Sequence, residues 1–400
     1  MEKLNQSNFV GERLTQARNA RGLTAISLAD LIGVSSSAIS KYEHSKNAPK
    51  SETLALLAEK LNFPLSFFFA PLNEETGKRC IKWRSLSTAT KFSRDRGEAK
   101  YEWLSRITGY FNEYFDLPKI NIPIVDLPND FREIKGSDID IAAERCRDYW
   151  GVGRSPINDL VLLLENNGVI VTRIYLGADK QDAFSEWKEY DYPYIFLGAD
   201  KNVCVRSRFD AAHELGHLVL HKKVKKEEYK KPELHKQIEA QANRFAAAFL
   251  MPKNEFFKGL WAPTLEAYSA LKPRWKVSIK GMIVHSHRHG ILNDIQYQRM
   301  MINYSRRYKN GEPFDDVWAC EKPRLLARCV ESLVNSNMKT KEDILSDLSL
   351  FANDVEEMTG VPRNYFNSKD ADVVPLLPKL KTSSQADKNG KIMQFPKKPN

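Results

Sequence analysis

The most constraining feature of this sequence is a pair of histidines four residues apart, His213 and His217, in the pattern His-Glu-Leu-Gly-His. On a helix, residues i and i+4 lie on one face, so both imidazoles can reach one metal ion. Glu214 is adjacent, where a carboxylate can accept a proton from water that the metal has activated. Ser207 with Asp210 resembles a capping box, and apolar residues follow at helical spacing, so the segment is predicted to be a helix. A chance match on an ordinary amphipathic helix is the alternative.

A catalytic zinc site needs a third protein ligand and one position left open for water. His221 continues the series, but it lies about 12 Å along the axis from His213, too far to share one tetrahedral ion. We interpret it as a histidine at the C-terminal end of the helix dipole. Residues 238–252 have the apolar spacing of a second helix, and Glu239 can point from it at the first. Glu239 is the expected third ligand, and His235 is the alternative.

The residues from Asp210 to His221, followed by Glu-x-x-Ala-Asn-x-Phe-Ala-x-x-x-Leu-Met-Pro at 239–252, resemble the ImmA/IrrE family of zinc metallopeptidases. The resemblance extends over roughly 150–252. It implies a zincin-like peptidase domain with Zn²⁺ as cofactor. It also implies that His213, His217 and Glu239 bind the ion and that Glu214 is the catalytic base.

A small sheet is predicted ahead of this helix, with strands at 168–175 and 194–197. The edge of such a sheet can pair with an extended peptide backbone across an active site. An ordinary core strand is the alternative for the segment between the two strands. The predicted substrate-binding residues in that segment are Asp182, Ala183, Phe184 and Ser185. The groups available to stabilise an oxyanion, among which the sequence does not choose, are Tyr190, Tyr192, Tyr194 and Arg208.

The first seventy residues have the spacing of a small helical bundle, with helices predicted at 9–19, 24–32, 35–43 and 51–61. Gly33 makes the turn between the second and third helices. This is the helix-turn-helix arrangement, in which the second helix of the pair enters the major groove of double-stranded DNA. A helical module that binds protein is the alternative. The predicted DNA-binding residues are Ser35, Ser36, Ser37, Ser40 and Lys41.

The same segment resembles the Xre/Cro-repressor type of helix-turn-helix domain, through Ala-Ile-Ser-Lys-Tyr-Glu at 38–43 and Pro-x-x-x-Thr-Leu at 49–54. One departure is Ala25, because that family usually carries Gln there to hold the DNA backbone. Basic and acidic residues are nearly balanced in this segment. We therefore expect weak DNA affinity for a monomer and a homodimer as the DNA-bound form.

Charge, cysteine spacing and hydropathy indicate the type of partner and the cellular compartment of the protein. The formal net charge of +10 is compatible with a nucleic-acid partner. The five cysteines lack C-x-x-C spacing, which predicts reduced thiols in a cytoplasmic protein. Neither a leader sequence nor an apolar run of membrane-spanning length is recognisable, so we expect no membrane association.

The predicted fold class is α+β, mostly α. We expect a helix-turn-helix DNA-binding domain at 8–70, a basic linker at 71–98 and a metallopeptidase domain at 99–253. A helical C-terminal region at 254–368, with a sensor or oligomerisation role, and a disordered tail at 369–400 would follow. The C-terminal helices are predicted at 254–271, 277–289, 294–307, 325–334 and 342–358. His285, His287 and His289 are interpreted as a solvated helix face rather than a second metal site.

These patterns predict a regulator that couples a DNA-binding domain to a zinc-dependent endopeptidase. The resemblance suggests a transcription repressor as substrate, cleaved to derepress stress or mobile-element genes, and self-cleavage fits the same sequence. A non-enzymatic regulator whose zinc domain is a sensor is the alternative. An antitoxin-type regulator would differ from both in biology rather than in chemistry.

Overall fold

The computed structural model describes residues 8–71, 91–176, 183–188, 191–200 and 203–368. These residues are mostly helical and contain one small sheet, so the predicted α+β class is confirmed. Asp182, most of the predicted linker and the predicted tail lie outside the described residues. The helices are α1 (Gly11–Ala20), α2 (Ala25–Ile32), α3 (Ser36–Glu43), α4 (Ser51–Leu61), α5 (Lys91–Asn112), α6 (Gly136–Tyr149), α7 (Leu160–Asn166), α8 (Cys204–Leu220), α9 (Lys226–Tyr229), α10 (Pro232–Leu250), α11 (Lys253–Lys258), α12 (Leu265–Trp275), α13 (Ile279–Arg288), α14 (Asp294–Arg307), α15 (Leu325–Asn335), α16 (Lys341–Leu348) and α17 (Ala352–Thr359). The strands are β1 (Ile170–Ile174), β2 (Ala183–Trp187) and β3 (Pro193–Gly198).

Helices α1 to α4 form the helix-turn-helix head, residues 8–71. Gly33 ends α2 in the left-handed region, with φ of 72°, a conformation that glycine adopts without the steric cost of a Cβ atom. Thr24 and Ser35 cap α2 and α3 by accepting hydrogen bonds from backbone N–H groups. The ion pair between Arg18 and Glu43 ties α3 to α1. These contacts fix the turn and leave the outer side of α3 exposed.

The sheet has the order β1-β3-β2, with β1 parallel and β2 antiparallel to the central strand β3. Side chains alternate between its two faces. On β3, Tyr194 and Phe196 belong to one apolar cluster, and Ile195 and Leu197 belong to the other. The sheet therefore separates two cores, and β2 is one of its edges.

The two cores do not follow the order of the chain. The first joins the helix-turn-helix head to α5, to one face of the sheet and to α15–α17. The second lies on the opposite face, contains α6, α8 and α10, and continues into α12 and α13. The predicted C-terminal region thus contributes to both cores, and its last helices pack beside the head.

Two helices predicted in the C-terminal region are each divided. The predicted 254–271 helix is α11 and α12, and the Thr264 side chain caps the start of α12. The predicted 342–358 helix is α16 and α17, because Ser349 adopts a left-handed conformation with φ of 48°. Apolar periodicity continues across both breaks, so it could not locate them. Among the described residues, no helix combines the length and apolar character needed to cross a membrane.

Candidate metal centre and nucleic-acid interface

Helix α8 carries the His-Glu-Leu-Gly-His pattern and is buried along most of its length. It begins at Cys204, so the predicted capping box is wrong: Ser207 lies inside the helix, where its hydroxyl accepts a hydrogen bond from Arg173 at 2.8 Å. The helix packs between β2 and α10. Its functional side chains therefore have a strand on one side and a helix on the other.

The two histidines and Glu239 converge. His213 Nε2 and His217 Nε2 are 3.0 Å apart, and the Glu239 carboxylate lies 3.2 Å from the first and 3.4 Å from the second. Among the described residues, these three are the group of histidine, cysteine and acidic side chains whose ligand atoms come close enough to hold one metal ion. His235, the alternative third ligand, is not part of this group.

The donor set fits zinc in chemistry and in spacing. Two imidazole nitrogens and one carboxylate oxygen are ligands that catalytic zinc sites use. With metal–ligand bonds of about 2.0–2.1 Å, tetrahedral ligand atoms lie about 3.3 Å apart. The three separations found here are close to that value. The residues could hold a zinc ion with little rearrangement.

Gly216 brings α10 close enough for Glu239 to reach the histidines. A Cβ atom at this position would lie 3.1 Å from Phe245 Cδ1 and 3.3 Å from Ala242 Cα. At contacts that short, the neighbouring atoms of α10 must give way by a few tenths of an ångström. Helix α10 also begins at Pro232, six residues before the predicted start, so Glu239 lies well inside it.

Glu214 points towards the sheet rather than at the other three groups. Its Oε2 accepts a hydrogen bond of 2.6 Å from the hydroxyl of Ser185, on β2. Both side chains are buried, with exposed fractions of 2% and 0%. A carboxylate held in this way has a fixed orientation beside the convergent donors.

The pKa values of the two carboxyl groups, Glu214 and Glu239, are shifted in opposite directions. Burial raises the pKa of Glu214 to about 7, although His213 and the Ser185 hydroxyl act in the opposite direction. Burial also raises the pKa of Glu239, but the imidazoles of His213 and His217 beside the carboxylate outweigh it and hold that pKa well below its usual range. Desolvation lowers the pKa of His213. The hydrogen bond to Glu239 and the nearby carboxylates together outweigh desolvation and raise this pKa to about 9.

The described part of the predicted substrate segment, Ala183–Ser185, lies on the edge strand β2. Ser185 faces α8, but the Phe184 ring lies on the other face of the sheet, stacked on Phe196 with ring centroids 4.3 Å apart. Phe184 and Ala183 are both buried. Any contact that Phe184 makes with a substrate must therefore come from its backbone.

A groove with a volume of about 450 Å³ opens where β2 ends. Trp187, the last residue of β2, lines it together with apolar side chains of 122–131 and of the end of α8. Lys222 lies over the Trp187 ring at 4.1 Å from its centroid. The charged residues of the lining are Asp130, Arg132, Lys222, Lys223, Lys225 and Glu228.

The described candidates for oxyanion stabilisation have other partners. Tyr192 donates to Asn112, and Tyr194 donates to Asp191 at 3.0 Å. Arg208 is buried and binds Glu321. Tyr190 lies outside the described residues.

The three C-terminal histidines are not one solvated face. His285 is buried, and its ring packs against Phe256 and Phe257 where α13 meets α11. Burial lowers its pKa to about 3. The prediction of a solvated position is wrong for His285, because the contact with α11 is not visible in the spacing of α13 alone.

The predicted DNA-binding residues all lie on the exposed side of the head. Ser35 is the N-cap of α3, and its hydroxyl accepts a hydrogen bond from Ala38 N. Ser36, Ser37, Ser40 and Lys41 are exposed on α3, which buries only Ile39. The arrangement presents a short polar helix to solvent.

Sequence reasoning missed the outer partners of the histidines. Asn243 Oδ1 lies 3.1 Å from His213 Nδ1, and Gln241 Oε1 lies 2.9 Å from His221 Nε2. The i, i+4 spacing of Asn243 from Glu239 could have revealed the first. The second is a polar residue within an apolar stripe, which signals a buried hydrogen bond but not its partner.

Comparison with known families matches two parts of the chain. Residues 14–68 match the helix-turn-helix family model, and residues 164–284 match the Peptidase_M78 model, described as an IrrE N-terminal-like domain. An uncharacterised HTH-type transcriptional regulator of Rickettsia prowazekii is 34% identical over 67 residues, which are 17% of this chain and 52% of that protein. One from Rickettsia conorii is 34% identical over 67 residues, 17% of this chain and 54% of that protein. The chain thus spans about half the length of these curated relatives, and both resemblances predicted from the sequence are confirmed.

Proposed function

Since this chain carries an Xre-type helix-turn-helix domain and an IrrE/ImmA-like Peptidase_M78 domain, we propose that it is a DNA-binding regulator with zinc-dependent endopeptidase activity. Its substrate would be a transcription repressor, cleaved to derepress stress or mobile-element genes. The observation that carries the proposal is the convergence of His213, His217 and Glu239 beside Glu214.

In this proposal the three convergent residues hold the zinc ion. Bound zinc would supply Lewis-acid chemistry, which polarises a peptide carbonyl and makes water more acidic. Glu214 would accept a proton from water and pass it to the leaving amine. A pKa of about 7 suits both roles, because the carboxyl group can be deprotonated and reprotonated near neutral pH. The Ser185 hydroxyl would keep the carboxylate in place through both transfers.

The peptide substrate would bind as an extended segment along β2. Strand β2 lies at an edge of the sheet, and an extended segment can add to such an edge. The predicted residues Ala183, Phe184 and Ser185 lie on this strand, and Ser185 is beside Glu214. Asp182 precedes them in the sequence. The same segment would continue past Trp187 into the groove. The groove has apolar walls, and its four cationic side chains outnumber Asp130 and Glu228, which favours an apolar substrate residue with acidic neighbours.

The helix-turn-helix head would bind double-stranded DNA, as a homodimer, with α3 in the major groove. Ser36, Ser37 and Ser40 would meet base edges, Ser35 would contact the backbone near the helix N-terminus, and Lys41 would meet a phosphate. Binding to DNA near a repressor would raise the local concentration of the peptidase at its substrate.

The test compares the N-termini of all proteins in cells that carry the wild type or Glu214→Gln, with and without DNA damage. We expect new N-termini only in the wild type, because the amide can accept the Ser185 hydrogen bond but cannot take a proton from water. A matched control is Glu266→Gln, an exposed carboxylate on α12 that is distant from the convergent residues in the sequence. Identical N-termini in the wild type and Glu214→Gln under every condition would contradict peptidase function.

A second candidate is a zinc-sensing regulator without peptidase activity. The packing of the head favours it: Arg21, the C-cap of α1, makes two hydrogen bonds with Asp354 on α17, at 2.7 and 2.6 Å. Glu357 on the same helix accepts a hydrogen bond from Tyr175 N, just after β1. A change at the sheet could therefore reach the head through α17. If DNA affinity of Glu214→Gln changes on adding zinc while no cleavage occurs in the wild type, this second function is the better description.

A further inference from the structure

A third histidine, His221 at the C-terminal cap of α8, contacts the candidate metal site without joining it. His221 Nδ1 lies 3.0 Å from His217 Nδ1, on the side of that ring opposite to the convergent Nε2 atoms. Both side chains have an exposed fraction of 0%, and Gln241 beyond them has 5%. Buried polar groups of this kind are hydrogen-bonded, so each nitrogen must be a donor or an acceptor towards its neighbour.

The direction of these hydrogen bonds follows from one backbone carbonyl. Gln241 Nε2 donates to the carbonyl oxygen of Phe131 at 2.7 Å. Reversing the amide would set two acceptors against each other, so Gln241 Oε1 must face His221 Nε2, 2.9 Å away. An amide oxygen only accepts, and His221 Nε2 therefore carries the hydrogen. In a neutral imidazole the other nitrogen, Nδ1, is then an acceptor.

The same direction is what a metal ligand requires. With His221 Nδ1 as acceptor, His217 Nδ1 donates to it, and the lone pair of His217 lies on Nε2, towards His213 and Glu239. If His221 were in the other tautomer, its Nδ1 would donate to His217 Nδ1. His217 would then carry its hydrogen on Nε2, and that nitrogen would have no lone pair for a metal ion. The hydrogen bonds that link the Phe131 carbonyl, Gln241, His221 and His217 are therefore all satisfied by a single tautomer of each histidine.

We propose that His221 and Gln241 are positioning residues that set the tautomer and orientation of His217 for metal binding. The inference rests on the proposed zinc site and adds to it a role for two residues outside the ligand set. His213 has a simpler arrangement, because Asn243 Oδ1 faces its Nδ1 directly. Outer partners of this kind change metal affinity by about 10–100-fold when they are removed.

The first test measures zinc affinity by competition with a chromophoric chelator, using the full chain. We expect His221→Leu to bind zinc about 10–100-fold more weakly than the wild type. His221→Asn, whose amide oxygen can occupy the position of Nδ1, should recover part of that affinity. His285→Leu removes another buried histidine, which packs against Phe257 on α11 and is not one of the convergent residues, and it should leave zinc affinity unchanged.

The second test reads the tautomers in the wild type, so it does not depend on the folding of a variant. Long-range ¹H–¹⁵N spectra of the zinc-loaded, ¹⁵N-histidine-labelled protein should show hydrogen on Nε2 of His221 and on Nδ1 of His217. Hydrogen on Nδ1 of His221, or equal zinc affinity in wild type and His221→Leu, would overturn the role of His221. A wild type that binds no zinc would instead overturn the metal site itself.

Discussion

Helices α8 and α3 both carry predicted functional residues, but the fold treats them in opposite ways. Helix α8 is buried on nearly all sides, and each of its polar side chains from His213 to His217 meets a named partner on β2, α10 or its own next turn. Helix α3 buries only Ile39, and its functional side chains meet solvent. Packing and hydrogen bonds thus specify the geometry of the first before any ligand binds. The geometry of the second is completed only by its partner.

The largest effect expected from this difference is a pH dependence of zinc binding. In the metal-free protein the pKa of His213 is raised to about 9, so zinc must displace a proton at neutral pH. Apparent zinc affinity should therefore rise about tenfold for each pH unit up to pH about 9, and level off above it. Chelator competition between pH 6.5 and 9.5 would measure this slope.

The control for the pH slope is Glu239→Gln, which removes the main partner that raises the pKa of His213. Zinc binding should be weaker in this variant, and its plateau should begin at a lower pH. An affinity that does not change between pH 7 and 9 in the wild type would contradict the ion pair in solution. DNA binding by α3 should not follow this slope, because His213 is not part of the head.

A smaller effect is expected from the close approach of α8 and α10. Gly216→Ala places a Cβ atom 3.1 Å from Phe245 Cδ1 and 3.3 Å from Ala242 Cα. The Phe245 side chain and the α10 backbone must then give way by a few tenths of an ångström, and the free energy of unfolding should fall by about 1–3 kcal/mol. Gly109→Ala on α5 is the matched control, since a Cβ atom there has no neighbour within 4 Å. It should raise the free energy of unfolding by about 0.5–1 kcal/mol, as alanine does for glycine within a helix. Urea unfolding of both variants without metal tests the pair, and equal signs would contradict the packing argument.

The contrast between α8 and α3 also explains what the sequence could predict. The spacing of His213 and His217 requires one helix face, and the apolar stripe around Glu239 orients the second helix, so the convergent group could be predicted before any coordinates. The serines of α3 could be placed on a helix, but their exposure says nothing about which base each would meet. The side chain of Ser185 could be assigned to a strand, yet its bond to Glu214 depends on how β2 lies against α8.

The outer partners of the histidines and the packing of the C-terminal helices could not be predicted, because they depend on contacts between distant segments. The carbonyl of Phe131 orients Gln241 more than a hundred residues later in the chain. Asp354 binds Arg21 across more than three hundred residues. Periodicity describes one element at a time and contains no information on such pairs. For the same reason the division of the core by the sheet, which joins α15–α17 to the head, was not visible in the order of predicted helices.

The smallest predicted effect concerns the salt dependence of DNA binding, and it tests whether the exposed side chains of α3 contact DNA. Lys41→Ala removes one exposed cation from the predicted DNA face, and the slope of log affinity against log salt should decrease in magnitude by about 1. The loss should be similar for all sequences, because a phosphate contact carries no base preference. Fluorescence anisotropy with a duplex selected from a random pool by the wild type would measure both quantities.

Lys60→Ala removes an exposed cation that is paired with Glu59 on α4, and it should leave the slope unchanged. If the two variants behave alike, Lys41 is not at a DNA interface, and the exposure of α3 serves another partner. Zinc affinity should be the same in both, since neither lysine belongs to the contacts that fix α8.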